Sequence, residues 1–208
     1  MNPLELASHG PVIPVIVIHR FEDAVPMAQA LVDGGVKVLE ITLRTPVALR
    51  CMEAIAKAVP QAIVGAGTVR SVADARSAKD AGCQFAVSPG YLASIGVACR
   101  EMGLPLLPGV STGSEVMQAN ADGYQFLKFF PATAAGGIPM LKALAGPFAD
   151  VVFCPTGGIT PETAPQFLAL PNVQVCGGSW LTPQDAVDAR DWSRITGLAR
   201  ATATLRKA

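Results

Sequence analysis

A single lysine, Lys128, interrupts the apolar run FLKFFPA, with Phe126 and Leu127 before it and Phe129, Phe130 and Pro131 after. Leaving water disfavours the charged form of an amine. A lysine in such a run is therefore paired, extends its head to water, or stands as a neutral amine able to attack a carbonyl and form a Schiff base. Glu40 interrupts a second apolar run, LEITLRT, where strand alternation puts Glu40 and Thr42 on one face and Ile41 on the other. It reads either as a rim ion pair with Lys37 or Arg44, or as an acid/base group near a buried lysine. Arg44, just past that run, carries a forked donor suited to a carboxylate, although alone it would read as a surface arginine.

These groups need a scaffold that brings distant segments together. From Pro11 the chain repeats a short apolar β-branched run, a turn, and an Ala-rich amphipathic segment. The pattern predicts strands at 12–18, 36–42, 62–67, 85–88, 104–110, 124–129, 151–155 and 173–177. Helices are predicted between them at 24–33, 46–58, 72–81, 92–102, 114–121, 139–145 and 161–170, with a longer one at 184–205. Near-continuous apolar strands alternating with helices imply a parallel sheet covered by helices. About eight such units in 208 residues point to an α/β fold, a closed TIM (β/α)8 barrel forming one domain over 1–208, with 1–10 as a helical N-terminal extension. An open doubly wound sheet is the other architecture, but no GxGxxG follows the first strand.

In a barrel the C-terminal strand ends share one mouth. There the chain offers GAGT with Thr68, SPG with Pro89, and LPGVST. The two glycines of GAGT would let a ligand approach the backbone. Two further turns, Gly157-Gly158 after FCPT and Gly177-Gly178 before Ser179, each run toward a helix start. Paired glycine turns at the last two strands suit a phosphate held by backbone N–H groups, or else serve only as sharp turns. Thr156, Pro89 and Phe130 are further candidates for substrate contact, and Phe129-Phe130-Pro131 for a wall that shields the lysine.

Composition narrows the chemistry. Basic and acidic residues balance at 16 each, with no basic stripe, so neither nucleic acid nor a membrane surface is an expected partner. No N-terminal signal pattern and no bilayer-length apolar run occurs, so a soluble, cytoplasmic protein is expected. The five cysteines are scattered without CxxC, and the two histidines, His9 and His19, sit in no ligand spacing. Buried free thiols are expected, with no metal and no cofactor.

Taken in order, LEITLRT, GAGT, SPG, LPGVST, FLKFFPA, FCPTGGI and GGSWL resemble the 2-keto-3-deoxy-6-phosphogluconate (KDPG) and 4-hydroxy-2-oxoglutarate (KHG) aldolases, from about Pro11 onward. The resemblance implies a homotrimeric (β/α) barrel and a class I aldolase, a carbon–carbon lyase of the Entner–Doudoroff pathway. It implies a Schiff-base lysine at Lys128, a catalytic carboxylate at Glu40, a substrate carboxylate site at Arg44 and Thr68, and phosphate contacts at Gly157, Gly158, Gly178 and Ser179. Its substrate would be a phosphorylated keto acid cleaved to pyruvate and D-glyceraldehyde 3-phosphate. Thr133 stands where close relatives often carry an acidic residue, and His19 or Arg20 could add a cation to the phosphate site. The C4-epimeric phosphogalactonate substrate, a sugar-phosphate isomerase or epimerase, and a non-catalytic sugar-phosphate sensor are the other readings.

Overall fold

The structure, a computed structural model, describes residues 3–205. A 3-10 helix, Pro3–His9, precedes β1 (Val12–Ile16), and a short 3-10 turn, Phe21–Asp23, leads into α1 (Ala24–Asp33). Next come β2 (Val38–Thr42), α2 (Ala48–Ala58), β3 (Ile63–Gly67), α3 (Val72–Asp80), β4 (Phe85–Val87) and α4 (Ala93–Glu101). Then follow β5 (Leu106–Leu107), β6 (Gly109–Val110), α5 (Gly113–Ala121), β7 (Phe126–Phe129), α6 (Gly137–Ala145) and β8 (Val152–Pro155). The last elements are α7 (Ala164–Leu168), β9 (Cys176–Gly178), α8 (Gln184–Asp188), α9 (Trp192–Ala201) and a 3-10 turn, Thr202–Leu205. No helix among the described residues is long and apolar enough to cross a membrane.

The strands are parallel, but they do not form the closed eight-stranded barrel expected from the sequence. They make an open α/β arrangement of a six-stranded sheet, ordered β5-β4-β3-β2-β1-β9, and a three-stranded sheet, β6-β7-β8. The reason at one join is Pro108. It has no N–H to donate, so the expected strand at 104–110 splits in two, with β5 pairing to β4 and β6 to β7. At the other join β9 is short, and single bridges, Phe153 to Val173 and Thr156 to Gly177, are what link it and the preceding segment to β8. The expected helix at 184–205 also divides, because Arg190 adopts a left-handed φ of 53° and Asp191 starts α9 by accepting the Arg194 N–H.

Alternation along the strands sorts the core into two faces. Ile13, Val38, Phe85, Leu107, Phe126 and Cys154 form an inner cluster, and Leu6 of the first 3-10 helix packs into it with no exposure. Leu39, Ile41, Val64 and Ala66 face the helices from the larger sheet, as Leu127, Phe129 and Phe153 do from the smaller. Because β2 has Val38 on the inner face, Glu40 and Thr42 share that face. The same phase carries Val15 of β1, and Val17 just past its end, inward from Ile13.

Candidate active site

Lys128 and Glu40 meet inside the protein. β7 brings the lysine and β2 the carboxylate, and the Lys128 Nζ donates to Glu40 Oε1 at 3.0 Å with both side chains about 95% buried, their exposures being 5% and 4%. A buried pair needs each partner, since removing one leaves an uncompensated charge in an apolar surrounding. Room for the carboxylate comes from β3. A Cβ on Gly67 would lie 2.4 Å from Glu40 Oε1, and one on Gly65 would lie 2.2 Å from the Phe85 ring. The glycines of GAGT therefore accommodate two neighbouring side chains, a different use from the ligand approach that the sequence suggested.

Lys128 opens onto a cavity of about 150 Å³. Arg44, Phe130, Thr156, Gly157, Gly158, Gly178 and Ser179 line it, together with Val15, Val17, Ile159 and Gly177. The guanidinium Nε of Arg44 donates to Thr68 Oγ1 at 3.1 Å, so Thr68 orients the arginine without itself lining the cavity. Thr68 holds a left-handed φ of 62°, a costly conformation for a β-branched residue and one that clusters at functional sites. Phe130 lies across the lysine, with Nζ 5.3 Å from its ring centroid. Phe129 turns the other way, fully buried and edge-on to Phe153, so it is no part of the shielding wall.

The glycine turn after β8 is clasped by the loop after β7. The Ala132 N–H donates to the Thr156 carbonyl at 2.7 Å and the Thr133 N–H to the Gly157 carbonyl at 3.1 Å. Gly157 and Gly158 take φ values of 102° and 75°, which glycine alone adopts without strain. Thr133 packs directly on Gly158, so that a Cβ there would come within 2.6 Å of its Oγ1. Thr156 is buried, its hydroxyl donating to the Cys154 carbonyl at 3.4 Å and sitting over Gly177. Burial pushes the neighbouring Cys154 thiol up to about 12, leaving it protonated and unreactive at neutral pH.

Three candidates lie elsewhere. Pro89 packs its carbonyl group against Gly109 and does not line the cavity. Arg20 is committed to Asp23, at 2.6 Å, and to the Val187 carbonyl at the end of α8, at 3.1 Å. His19 borders that same separate cleft. The apolar wall of Val15, Val17 and Ile159 had not been anticipated. Alternation along β1 carried the signal for the two valines, whereas Ile159 lies beyond β8, where no period applies.

The cavity thus offers one amine, a carboxylate in contact with it, an arginine, and backbone turns with a serine. That set suits a molecule that carries a carbonyl and anionic groups.

Comparison with known proteins agrees with this chemistry. The family described as KDPG and KHG aldolase matches residues 5–198. The KHG/KDPG aldolase of Escherichia coli K12 is 54% identical over 191 residues, 92% of this chain and 90% of that protein. A structure of KDPG aldolase from Legionella pneumophila, with pyruvate captured at low pH as a covalent carbinolamine intermediate, has a TM-score of 0.95 at 47% identity and covers 98% of each chain. The 2-keto-3-deoxy-6-phosphogluconate aldolase of Zymomonas mobilis ZM4, solved with 3-phosphoglycerate, has a TM-score of 0.93 at 45% identity, covering 98% of this chain and 96% of that one.

Proposed function

The chain belongs to the KDPG and KHG aldolase family, and from that membership we propose that it cleaves 2-keto-3-deoxy-6-phosphogluconate reversibly to pyruvate and D-glyceraldehyde 3-phosphate, with Lys128 as the Schiff-base residue. The observation that carries the reading is the buried contact of Glu40 with Lys128, which itself lines a cavity together with Arg44 and the glycine turns. Arg44, oriented by Thr68, holds the substrate carboxylate. Gly157, Gly158, Gly178 and Ser179 receive the phosphate, and Thr156 and Phe130 line the span between. Fixing both ends sets the C2 carbonyl over the amine.

The Lys128 Nζ, having passed its proton to Glu40, attacks C2 with its lone pair. One proton of the attacking nitrogen passes to the C2 oxygen to give a neutral carbinolamine, Glu40 returns its proton to that hydroxyl, water leaves, and a protonated imine remains. Glu40, directly or through water, then takes the proton of the C4 hydroxyl. The C3–C4 bond breaks, and its electron pair moves into the imine to give a neutral enamine. Glyceraldehyde 3-phosphate departs, a proton is returned to C3, and water hydrolyses the imine to free pyruvate and the amine.

Borohydride added with pyruvate should fix a reduced adduct on Lys128, located by peptide mass mapping. An adduct on Lys142 or Lys37, or none at all, would overturn the assignment. The same trap separates an aldolase from a sugar-phosphate isomerase or epimerase, which needs no imine. Pyruvate release from the phosphogluconate, phosphogalactonate and 4-hydroxy-2-oxoglutarate substrates ranks the activities, and we expect the first to lead and the third to be measurable.

We infer further that the enzyme is a cytoplasmic homotrimer. Leu92, Val97 and Met117, 55%, 45% and 64% exposed around α4 and α5, supply apolar surface for a subunit contact. Five buried free thiols suit a reducing compartment. Sedimentation equilibrium giving a monomer mass would refute the trimer, and export to an oxidising compartment the location.

A further inference from the structure

The Lys128 nitrogen has two electron-rich neighbours: the Glu40 carboxylate at 3.0 Å and the Phe130 ring, whose centroid is 5.3 Å away. A cation within about 6 Å of an aromatic face is attracted by the ring quadrupole, the more so where water is excluded. Phe130 lines the cavity, whereas Phe129 beside it faces the helices, so strand alternation assigns this contact to one ring of the pair.

We propose that the Phe130 ring is a catalytic group, favouring the charged iminium over the neutral carbinolamine that precedes it. This rests on the reading of Lys128 as the Schiff-base residue. In the carbinolamine the nitrogen is neutral and C2 carries a hydroxyl. A proton from the carboxylic acid form of Glu40 joins that hydroxyl, and the C2–O bond breaks with its electron pair leaving as water. The nitrogen lone pair closes the C=N bond. Positive charge therefore develops on an atom that already stands over the ring. The ammonium of the free enzyme stands over it as well, so the ring contributes little to the overall affinity for pyruvate. Its contribution falls on the ratio of iminium to carbinolamine.

The experiment replaces Phe130 with mono-, di- and trifluorophenylalanine, which withdraw electrons from the ring face while scarcely changing its size. Each protein is saturated with pyruvate, given a brief borohydride pulse that reduces the iminium and not the carbinolamine, and weighed intact. The trapped ratio should fall stepwise with fluorine number, by about ten-fold across the series, while KM for pyruvate changes much less. Phe130→Leu should fall at least as far. A flat fluorine series, or Phe130→Leu trapping as well as the unsubstituted protein, would overturn the proposal. Failure of the unsubstituted protein to form any Lys128 adduct would instead refute the Schiff-base reading. An adduct there with a flat series refutes only the role of the ring.

Discussion

At the scale of single residues, the proposed mechanism turns on what surrounds Glu40. Its carboxylate has the Lys128 Nζ on one side and the bare backbone of Gly67 on the other. Glu40→Gln keeps the volume and removes the proton-transfer group, so kcat should fall by about 10²-fold or more, and KM should change far less. An unchanged kcat in steady-state assays would return Glu40 to a purely structural ion pair. Gly67→Ala tests the same atom from the neighbouring strand. Its methyl would lie 2.4 Å from Oε1 and must displace the carboxylate. The expected result is a loss of kcat on the order of 10²-fold, with a folded protein by circular dichroism. Glu40 was legible from sequence, because an acid in an apolar run is costly without a task. Gly67 was legible only as a glycine, since the side chain that needs its space comes from another strand.

Among the elements, the glycine turn after β8 and the segment after β9 contribute Gly157, Gly158, Gly178 and Ser179 to the cavity lining. Ser179 is exposed there, one residue past β9. Ser179→Asp puts a negative charge where a phosphate is proposed to sit. KM for the phosphorylated substrate should rise by about ten-fold, and that for 4-hydroxy-2-oxoglutarate by less. Equal losses on both in parallel assays would argue against a phosphate site. The opposite end of the strands has a different task. Leu6, on the first 3-10 helix, is fully buried beneath Ile13, Val38 and Phe126. Leu6→Ala should cost about 3 kcal/mol of stability in chemical denaturation while leaving kcat near its original value, because Leu6 neither lines the Lys128 cavity nor bonds to Lys128 or Glu40. Repeating apolar runs announced most of these strands and helices. Pro108 was visible too, yet a proline can sit at a strand edge or divide a strand, and its neighbours decided for division.

For the whole molecule, burial sets the reactivity of the thiols. Cys83 and Cys154 are both pushed up to about 12 by burial, Cys99 to about 11, and Cys51 and Cys176 are raised as well. Thiolate is the reactive form, so the native protein should resist a thiol reagent at neutral pH, and all five groups should react once it is unfolded. Rapid native labelling of Cys154 would mean that the inner cluster opens readily. The parallel α/β class, the positions of most elements, and the candidacy of Lys128, Glu40 and Arg44 followed from the chain alone, because local periodicity and the cost of burying charge are written residue by residue. The tertiary structure decided how the strands join into an open pair of sheets, since pairing depends on which donors face which acceptors across the fold. It also decided that Phe130 and not Phe129 faces the amine, that Arg20 is bound to Asp23, and that the GAGT glycines make room for Phe85 and Glu40. The glycine fits join residues far apart in sequence, which no local pattern encodes, whereas Arg20 with Asp23 and Phe130 with Lys128 are near neighbours for which several local partners were open until the fold was formed.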